Sequence, residues 1–150
     1  MCVTPSNIIF RHGSLEEVLP LRARELRKGK PMDSARFEED DLSTTIHLGA
    51  FLDNHPIGCL TLIRITDLSY CSWQLRGMAT RQSWQGKGVG RGLLRFTETY
   101  LLHHFEHGHL WCNAREIAIP FYHKLGFEIC SKPFDIPKIG LHYKMEKSLL

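Results

Sequence analysis

The sequence predicts a mixed α/β (α+β) fold, with a central sheet of about six to seven strands flanked by helices. Short apolar runs rich in β-branched residues recur along the chain, and such runs favour strands. Between them lie segments whose apolar residues recur at helical spacing. Polar and glycine-containing turns separate the two kinds of segment. Strands and helices that alternate in this way are typical of a sheet covered by helices.

The first half of the chain begins with a predicted strand and helix. Ser14 is a suitable N-cap, Gly29 ends the helix, and Pro20 inside it predicts a kink or a break. The basic residues of the later turns are interpreted as a solvated helix face, with a site for an acidic partner as the alternative. An irregular polar loop follows over residues 30–45. The predicted strands of this half are residues 7–11, 46–52 and 57–65.

The second half contains the remaining predicted elements. A strand leads directly into a glycine-rich loop, and the helix after that loop stops by Gly108. A second helix over residues 115–125 closes on Gly126. The predicted strands of this half are residues 73–80, 109–113, 127–130 and 141–145.

Length and composition indicate an ordinary globular chain. With 150 residues, 43% of them hydrophobic, it is expected to form a single domain over residues 1–150. No apolar run approaches the roughly 20 residues needed to cross a bilayer, and no secretory signal is visible. Five widely spaced cysteines without a Cys-x-x-Cys pair favour reduced thiols in the cytoplasm over disulfides or a metal site. The net charge of +3 is scattered, so we expect no nucleic-acid partner. We expect either a monomer or a homodimer.

The glycine-rich loop is the strongest functional signal. Residues 85–92 carry glycine at alternate positions and run straight into a helix. Bare backbone amides and the positive end of the helix dipole both favour an anion. Lys87 and Arg91 add formal positive charge at the same place. The pattern therefore predicts a ligand that bears phosphate.

Two common phosphate motifs do not fit this loop. A P-loop would need glycine at position 81 and Ser or Thr after Lys87, where the chain has Arg81 and Gly88. The dinucleotide fingerprint fails as well, because Arg91 stands three residues after Gly88. A glycine turn that merely caps a surface helix remains the alternative on the glycines alone, and the flanking residues decide between them.

These flanking residues resemble a known family. The second half of the chain contains, in order, Met78-Ala79-Thr80, Gln85-x-x-Gly88-x-Gly90, Asn113-Ala114-Arg115 and Phe121-Tyr122-x-Lys124-Leu125-Gly126-Phe127. Together they resemble the GCN5-related N-acetyltransferases (the GNAT family), most closely a small bacterial subgroup. The first half matches only in the order of its elements.

The resemblance implies acetyl-coenzyme A as co-substrate and a sheet that is splayed at the cofactor site. Its pyrophosphate would lie on the backbone amides of the loop, and Met78 and Thr80 would pair with the pantetheine arm. Asn113 would face the cofactor where the sheet opens. The implied cofactor-binding residues are Met78, Ala79, Thr80, Gln85, Gly86, Lys87, Gly88, Val89, Gly90, Arg91 and Asn113.

The resemblance also implies that Tyr122 is the acid that protonates the leaving thiolate. A neutral phenol with a pKa near 10 suits that role, although a half-buried core tyrosine is the structural alternative. Many family members carry a carboxylate base on the strand before the loop, and residues 73–77 offer none. The candidates for the base are therefore His47, His142 or a water chain.

The leading functional hypothesis is transfer of the acetyl group to an amine of a small molecule or peptide, by direct attack in a ternary complex. An enzyme that modifies protein lysines or N-termini is one alternative. The other is a coenzyme A-binding sensor without turnover, which the missing strand carboxylate favours.

Overall fold

The computed structural model describes residues 7–66, 71–105 and 108–149. Within these ranges the strands form one eight-stranded sheet flanked by helices, which confirms the predicted fold class. The added strand is β7, a three-residue segment too short to predict from its sequence. The strands are β1 (Ile9–Gly13), β2 (Ile46–Leu52), β3 (His55–Thr66), β4 (Cys71–Thr80), β5 (Gly108–Arg115), β6 (Glu128–Ile129), β7 (Phe134–Ile136) and β8 (Gly140–Leu149).

The sheet opens between β4 and β5. Its order is β1-β2-β3-β4-β5-β8-β6, with β7 also paired to β8, and β4–β5 is the parallel pair. This pair is in register only at Trp73↔Leu110 and Gln74↔Trp111. Beyond these positions the two strands carry no further pairing, so the predicted splay is present.

A bulge in β4 lies at the start of this opening. Cys59 pairs with Ala79 and Thr61 with Arg76, so two residues of β4 face one residue of β3. Gly77, one of the two, has φ 62°, which is a conformation that glycine adopts without steric cost. Bulges of this kind bend a strand and redirect its backbone groups. The end of β4 is thereby turned toward the gap.

The helices are α1 (Leu15–Leu26), α2 (Val89–His104) and α3 (Ile119–Lys124). Ser14 caps α1 as predicted, since its hydroxyl accepts from the Glu17 amide and the Glu17 carboxylate accepts from the Ser14 amide. The helix continues through Pro20, so of the two predicted outcomes, a kink or a break, the break is absent. Burial of residues on both sides of Pro20 offsets the one backbone hydrogen bond that proline removes. The predicted helix over 115–125 begins as a 3₁₀ turn at Glu116–Ala118 before α3 starts.

Helices cover both faces of the sheet. Leu93, Leu94 and Leu101 of α2 pack with Leu60 and Leu62 of β3 in the largest apolar cluster. Cys59, the residue before Leu60, points to the other face and packs with Val18 and Leu21 of α1. Side chains alternate between the two faces of a strand, so β3 contributes to both layers.

A buried polar network ties the loop after α1 to the sheet. Arg22 binds both carboxylate oxygens of Asp40, at 2.8 and 3.1 Å, and donates to the Thr61 hydroxyl at 2.6 Å. Thr61 in turn lies 2.8 Å from Nδ1 of His47, whose Nε2 is 3.1 Å from the Asp40 carbonyl oxygen. The loop over residues 30–45, which the sequence predicts to be irregular, is thus held in place. It contains two 3₁₀ turns, at Met32–Ala35 and Glu38–Asp41.

The described helices are each too short or too polar to traverse a lipid bilayer. The four described cysteines are free thiols. No group of three or more His, Cys, Asp or Glu side chains in the described ranges is arranged to hold a metal ion.

Candidate active site

The glycine-rich loop joins the end of β4 to the start of α2. Gly86 and Gly88 have φ 75° and 86°, and Gly88 is the N-cap of the helix. The Gln85 side-chain amide donates to the Thr80 carbonyl at 3.0 Å and fixes the loop against the strand. The first backbone amides of a helix have no partner within it, so they remain available to a ligand. In a 16-residue helix the dipole adds positive potential at this end.

A cleft of about 540 Å³, here called the glycine-loop cleft, lies in front of these amides. Val89 and Ala79, two of the lining residues, also belong to the buried apolar clusters. Lys87 is not part of the lining, and its ammonium lies 5.2 Å from the ring centroid of Trp84, which does line the cleft. The predicted cofactor-binding residues that do line it are Met78, Ala79, Thr80, Gln85, Gly86, Gly88, Val89, Gly90 and Arg91.

A second cavity of about 350 Å³, here called the junction cavity, fills the gap between β4 and β5. Asn113 lies here rather than in the glycine-loop cleft. Met78, Ala118 and Tyr122 line both spaces, so the two are adjacent at these residues.

Tyr122 lies at this boundary and is 8% exposed. Its ring packs edge-on against Phe121 and Phe127, with centroids 5.2 and 5.4 Å apart. Its hydroxyl donates to the sulfur of Met78 at 3.6 Å, and a thioether is a weak acceptor. Burial raises the pKa of the phenol, and the neighbouring Cys112 thiol raises it further. Tyr122 therefore holds its proton at neutral pH and can redirect it to a stronger acceptor.

The two candidate bases lie in different surroundings. His47 is 6% exposed and belongs to the Arg22–Asp40 network. The Asp40 carbonyl oxygen can only accept, so Nε2 of neutral His47 carries the proton and Nδ1 accepts from the Thr61 hydroxyl. Both nitrogens are thus committed to the network. Burial also lowers the pKa of His47, despite the nearby Asp40 carboxylate.

His142 lines the junction cavity itself and is 4% exposed. Its Nδ1 is 2.7 Å from the carbonyl oxygen of Gly140, which can only accept. The proton of the neutral ring is therefore on Nδ1, and Nε2 keeps its lone pair. Phe134 of β7 stacks on the imidazole at 6.0 Å and holds its orientation.

A third cavity, of about 500 Å³, adjoins the junction cavity and is lined by basic residues; we call it the cationic cavity. Leu26, Phe37, Arg76 and Arg115 line both of these spaces. No sequence pattern indicates this cavity, because its walls come from segments far apart in the chain: α1, the following loop, β4, β5 and the turn before β8. The basic residues of α1 are not simply a solvated face, since Arg22 is buried at 1% exposure.

Three comparisons with known proteins agree with this architecture. A model of the Acetyltransferase (GNAT) family matches residues 15–127. The uncharacterized N-acetyltransferase YitI of Bacillus subtilis (strain 168) is 34% identical over 145 residues, covering 91% of this chain and 93% of that protein. The chain therefore belongs to the GNAT family of acetyltransferases. It is an acyltransferase with acetyl-coenzyme A as its co-substrate.

Solved structures share the fold at low sequence identity. Escherichia coli ElaA has a TM-score of 0.79 at 16% identity, covering 93% of this chain and 99% of that one. A GNAT family acetyltransferase from Elizabethkingia anophelis, solved with acetyl-coenzyme A bound, has a TM-score of 0.69 at 18% identity, covering 97% and 100%.

Proposed function

We propose that the protein transfers the acetyl group of acetyl-coenzyme A to a primary amine by direct attack in a ternary complex. The observation that carries the proposal is the position of Tyr122, which lines both the glycine-loop cleft and the junction cavity. The cofactor occupies the first space, and the amine reaches the second. The bound thioester supplies an activated acetyl group where the two spaces meet.

The residues of the glycine-loop cleft fit a phosphate-bearing ligand. The amides at the start of α2 bind the pyrophosphate, and Arg91 adds charge at the rim. Gly90 keeps the cleft open, because a Cβ there would lie 3.4 Å from both Met78 and Phe121, two other lining residues. The end of β4 offers the backbone of Met78 and Thr80 to the pantetheine arm, and Asn113 faces it across the gap.

Tyr122 acts as the general acid. A coenzyme A thiol has a pKa of about 8.5, so the sulfur leaves more readily when it receives a proton as it departs. The phenol can donate that proton because burial keeps it un-ionised. Its hydrogen bond to the Met78 sulfur is weak and is easily exchanged for one to the leaving group.

His142 acts as the general base. An alkyl ammonium with a pKa of about 10 must lose a proton before it can attack. Nε2 of His142 has a free lone pair, and the residue lines the junction cavity. His47 is the weaker candidate since both of its nitrogens already have partners.

Turnover with a panel of amines tests this function. The purified protein is incubated with acetyl-coenzyme A and each amine, and release of the coenzyme A thiol is followed together with the mass of the acetylated product. The proposal expects thiol release that depends on the amine. Tight cofactor binding without such release for any amine would instead indicate a coenzyme A sensor. Faster acetylation of protein lysines or N-termini than of any small amine would indicate the protein-modifying alternative.

A further inference from the structure

The cationic cavity is unusual in the sign of its lining. Eight lysine and arginine side chains line it, and no acidic side chain belongs to the described lining. Its remaining wall is largely apolar, with Leu26, Phe37 and Ile139. A cavity of about 500 Å³ is within the usual size of a small-molecule site, roughly 300–1,000 Å³.

Three of the eight cations have acidic partners behind or beside the wall. Arg22 pairs with the buried Asp40, and Arg36 with the exposed Asp33. Arg76 lies 3.6 Å from Glu39, a contact that is about one-third exposed on both sides. Such an exposed pair contributes little and is readily exchanged for another anion.

The other five cations have no ion-pair partner within the described ranges. Like charges gathered without counter-ions repel one another, so the cavity favours an anionic guest. The Nε atoms of Arg22 and Arg27 are moreover buried and have no hydrogen-bond partner. The five cations without an ion-pair partner are Arg27, Lys28, Lys30, Arg115 and Lys138.

Two arginines connect this charge to the site of transfer. Arg76 and Arg115 line both the cationic and the junction cavities, the latter being the space that contains Tyr122 and His142. Arg76 is held by stacking on the ring of Phe37 at 3.9 Å, and Arg22 stacks on the same ring at 4.1 Å. An arginine fork held in a fixed orientation is suited to bind a carboxylate or phosphate through two hydrogen bonds.

We propose that the acceptor is a small primary amine that also carries a carboxylate or phosphate group, and that this group binds at Arg76 and Arg115. The proposal rests on the acetyltransferase function proposed above, because it assigns the amine end of the acceptor to the junction cavity. Arg27 and the nearby lysines, which have no ion-pair partner within the described ranges, contribute a positive field. The same field raises the free energy of a polycationic amine, so diamines are poor acceptors.

Matched pairs of amines test the proposal. β-Alanine is compared with β-alaninamide, and phosphoethanolamine with ethanolamine, each extended to longer chains, with a diamine series alongside. A hydrogen bond to a charged group typically changes kcat/KM by about 10- to 100-fold. We therefore expect kcat/KM to be higher by about that factor for the member of each pair that carries the carboxylate or phosphate. Comparison of the β-alanine pair with the phosphoethanolamine pair shows whether the site prefers a carboxylate or a phosphate. The preference should shrink as salt is added, because screening weakens the attraction.

Substitution of Arg115 separates binding from folding. Arg115→Gln should raise KM for the amine that carries the acid group by about 10-fold or more. It should leave KM unchanged for the matched amine that lacks the acid group. Arg95→Gln is the matched control, since Arg95 is an exposed arginine of α2 outside the three cavities. It should change neither value. An equal effect of Arg115→Gln on both amines would mean that the residue is structural, and would overturn the assignment.

A binding measurement keeps this test apart from the test of catalysis. The protein is first saturated with coenzyme A, which carries no acetyl group, so that no transfer can take place. Each amine is then titrated into this complex, and its Kd is measured by calorimetry. Tighter binding of the anionic member supports the acceptor class even if no amine is acetylated, in which case only the acetyltransferase proposal fails. Equal binding and equal turnover of the two members of each pair would overturn the acceptor class. So would faster turnover of an acidic peptide than of any small amine.

Discussion

Tyr122 has two properties that the proposed general acid needs: it retains its proton, and it lines both the glycine-loop cleft and the junction cavity. Tyr122→Phe keeps the ring between Phe121 and Phe127 and removes only the hydroxyl. General acid catalysis typically contributes about 10²- to 10⁴-fold, and a thiolate is a tolerable leaving group, so we expect kcat to fall by about 10²-fold. The Kd for acetyl-coenzyme A should be nearly unchanged. Steady-state kinetics with calorimetry check both values, and an unaltered kcat under chemistry-limited conditions would assign the proton to water.

His142 gives a separate prediction, because a missing base can be replaced by raising the pH. His142→Gln should lower kcat/KM by about 10²-fold or more near neutral pH. The loss should become smaller as the pH approaches the pKa of the amine, since the amine then loses its proton without help. The pH dependence of kcat/KM in the two proteins measures this. A constant ratio between them at all pH values would argue that His142 does not remove the proton.

At the scale of elements, the junction of β4, the loop and α2 creates the proposed cofactor site. Gly90→Val should abolish coenzyme A binding, because the added side chain lies among Met78 and Phe121 in the cleft. Gly90 has none of the positive φ found at Gly86 and Gly88, so this change adds no backbone strain. Calorimetry and circular dichroism give affinity and folding together. A folded Gly90→Val protein with normal affinity would locate the cofactor elsewhere.

The loop between α1 and β2 is attached through one buried ion pair. Asp40→Asn leaves the Arg22 charge buried without its partner, which typically costs about 3–5 kcal/mol. Asp33→Asn is a matched control, since its pair with Arg36 is exposed and should be worth less than about 1 kcal/mol. Denaturant unfolding of the two variants measures the difference. Equal stabilities would mean that the Arg22 charge finds solvent or another partner.

The elements that the sequence predicted well are those set by neighbouring residues. The glycine loop feeding α2, the Ser14 cap and the strand that precedes the loop all depend on local chemistry. The bulge at Gly77 and the burial of Arg22 depend on residues far along the chain, with Thr61 39 positions from Arg22. The cationic cavity likewise combines segments that are far apart in the chain, from α1 to the turn before β8. Contacts between residues so far apart in the chain cannot be predicted from the local spacing of apolar residues.

At the scale of the whole molecule, the buried network predicts how stability depends on pH. Burial lowers the pKa of His47, and Asp40, Arg22 and His12 are the ionisable groups around it. The unfolded chain therefore binds a proton below about pH 6.5 that the folded chain resists, and stability falls on acidification by up to about 1.4 kcal/mol per pH unit. Burial alone would raise the pKa of Asp40, but its hydrogen bonds to Arg22 and to the Phe37 amide hold it below its usual value. Asp40 therefore adds a further loss below about pH 4.

Unfolding free energies measured between pH 5 and 7 check this dependence. His47→Gln should be less stable than the unmodified protein and should have a shallower slope over that range. An identical slope in both proteins would mean that His47 is not the group that titrates.

At the same scale, the three adjacent spaces form one proposed path, with the cofactor entering from the glycine loop and the acceptor from the cationic cavity. A crystal structure of the protein with coenzyme A tests this most directly. We predict that the pyrophosphate accepts hydrogen bonds from the backbone amides at the start of α2, and that the thiol lies within hydrogen-bond distance of the Tyr122 hydroxyl. A cofactor bound away from the glycine loop, or a thiol on the far side of β4 from Tyr122, would contradict the account.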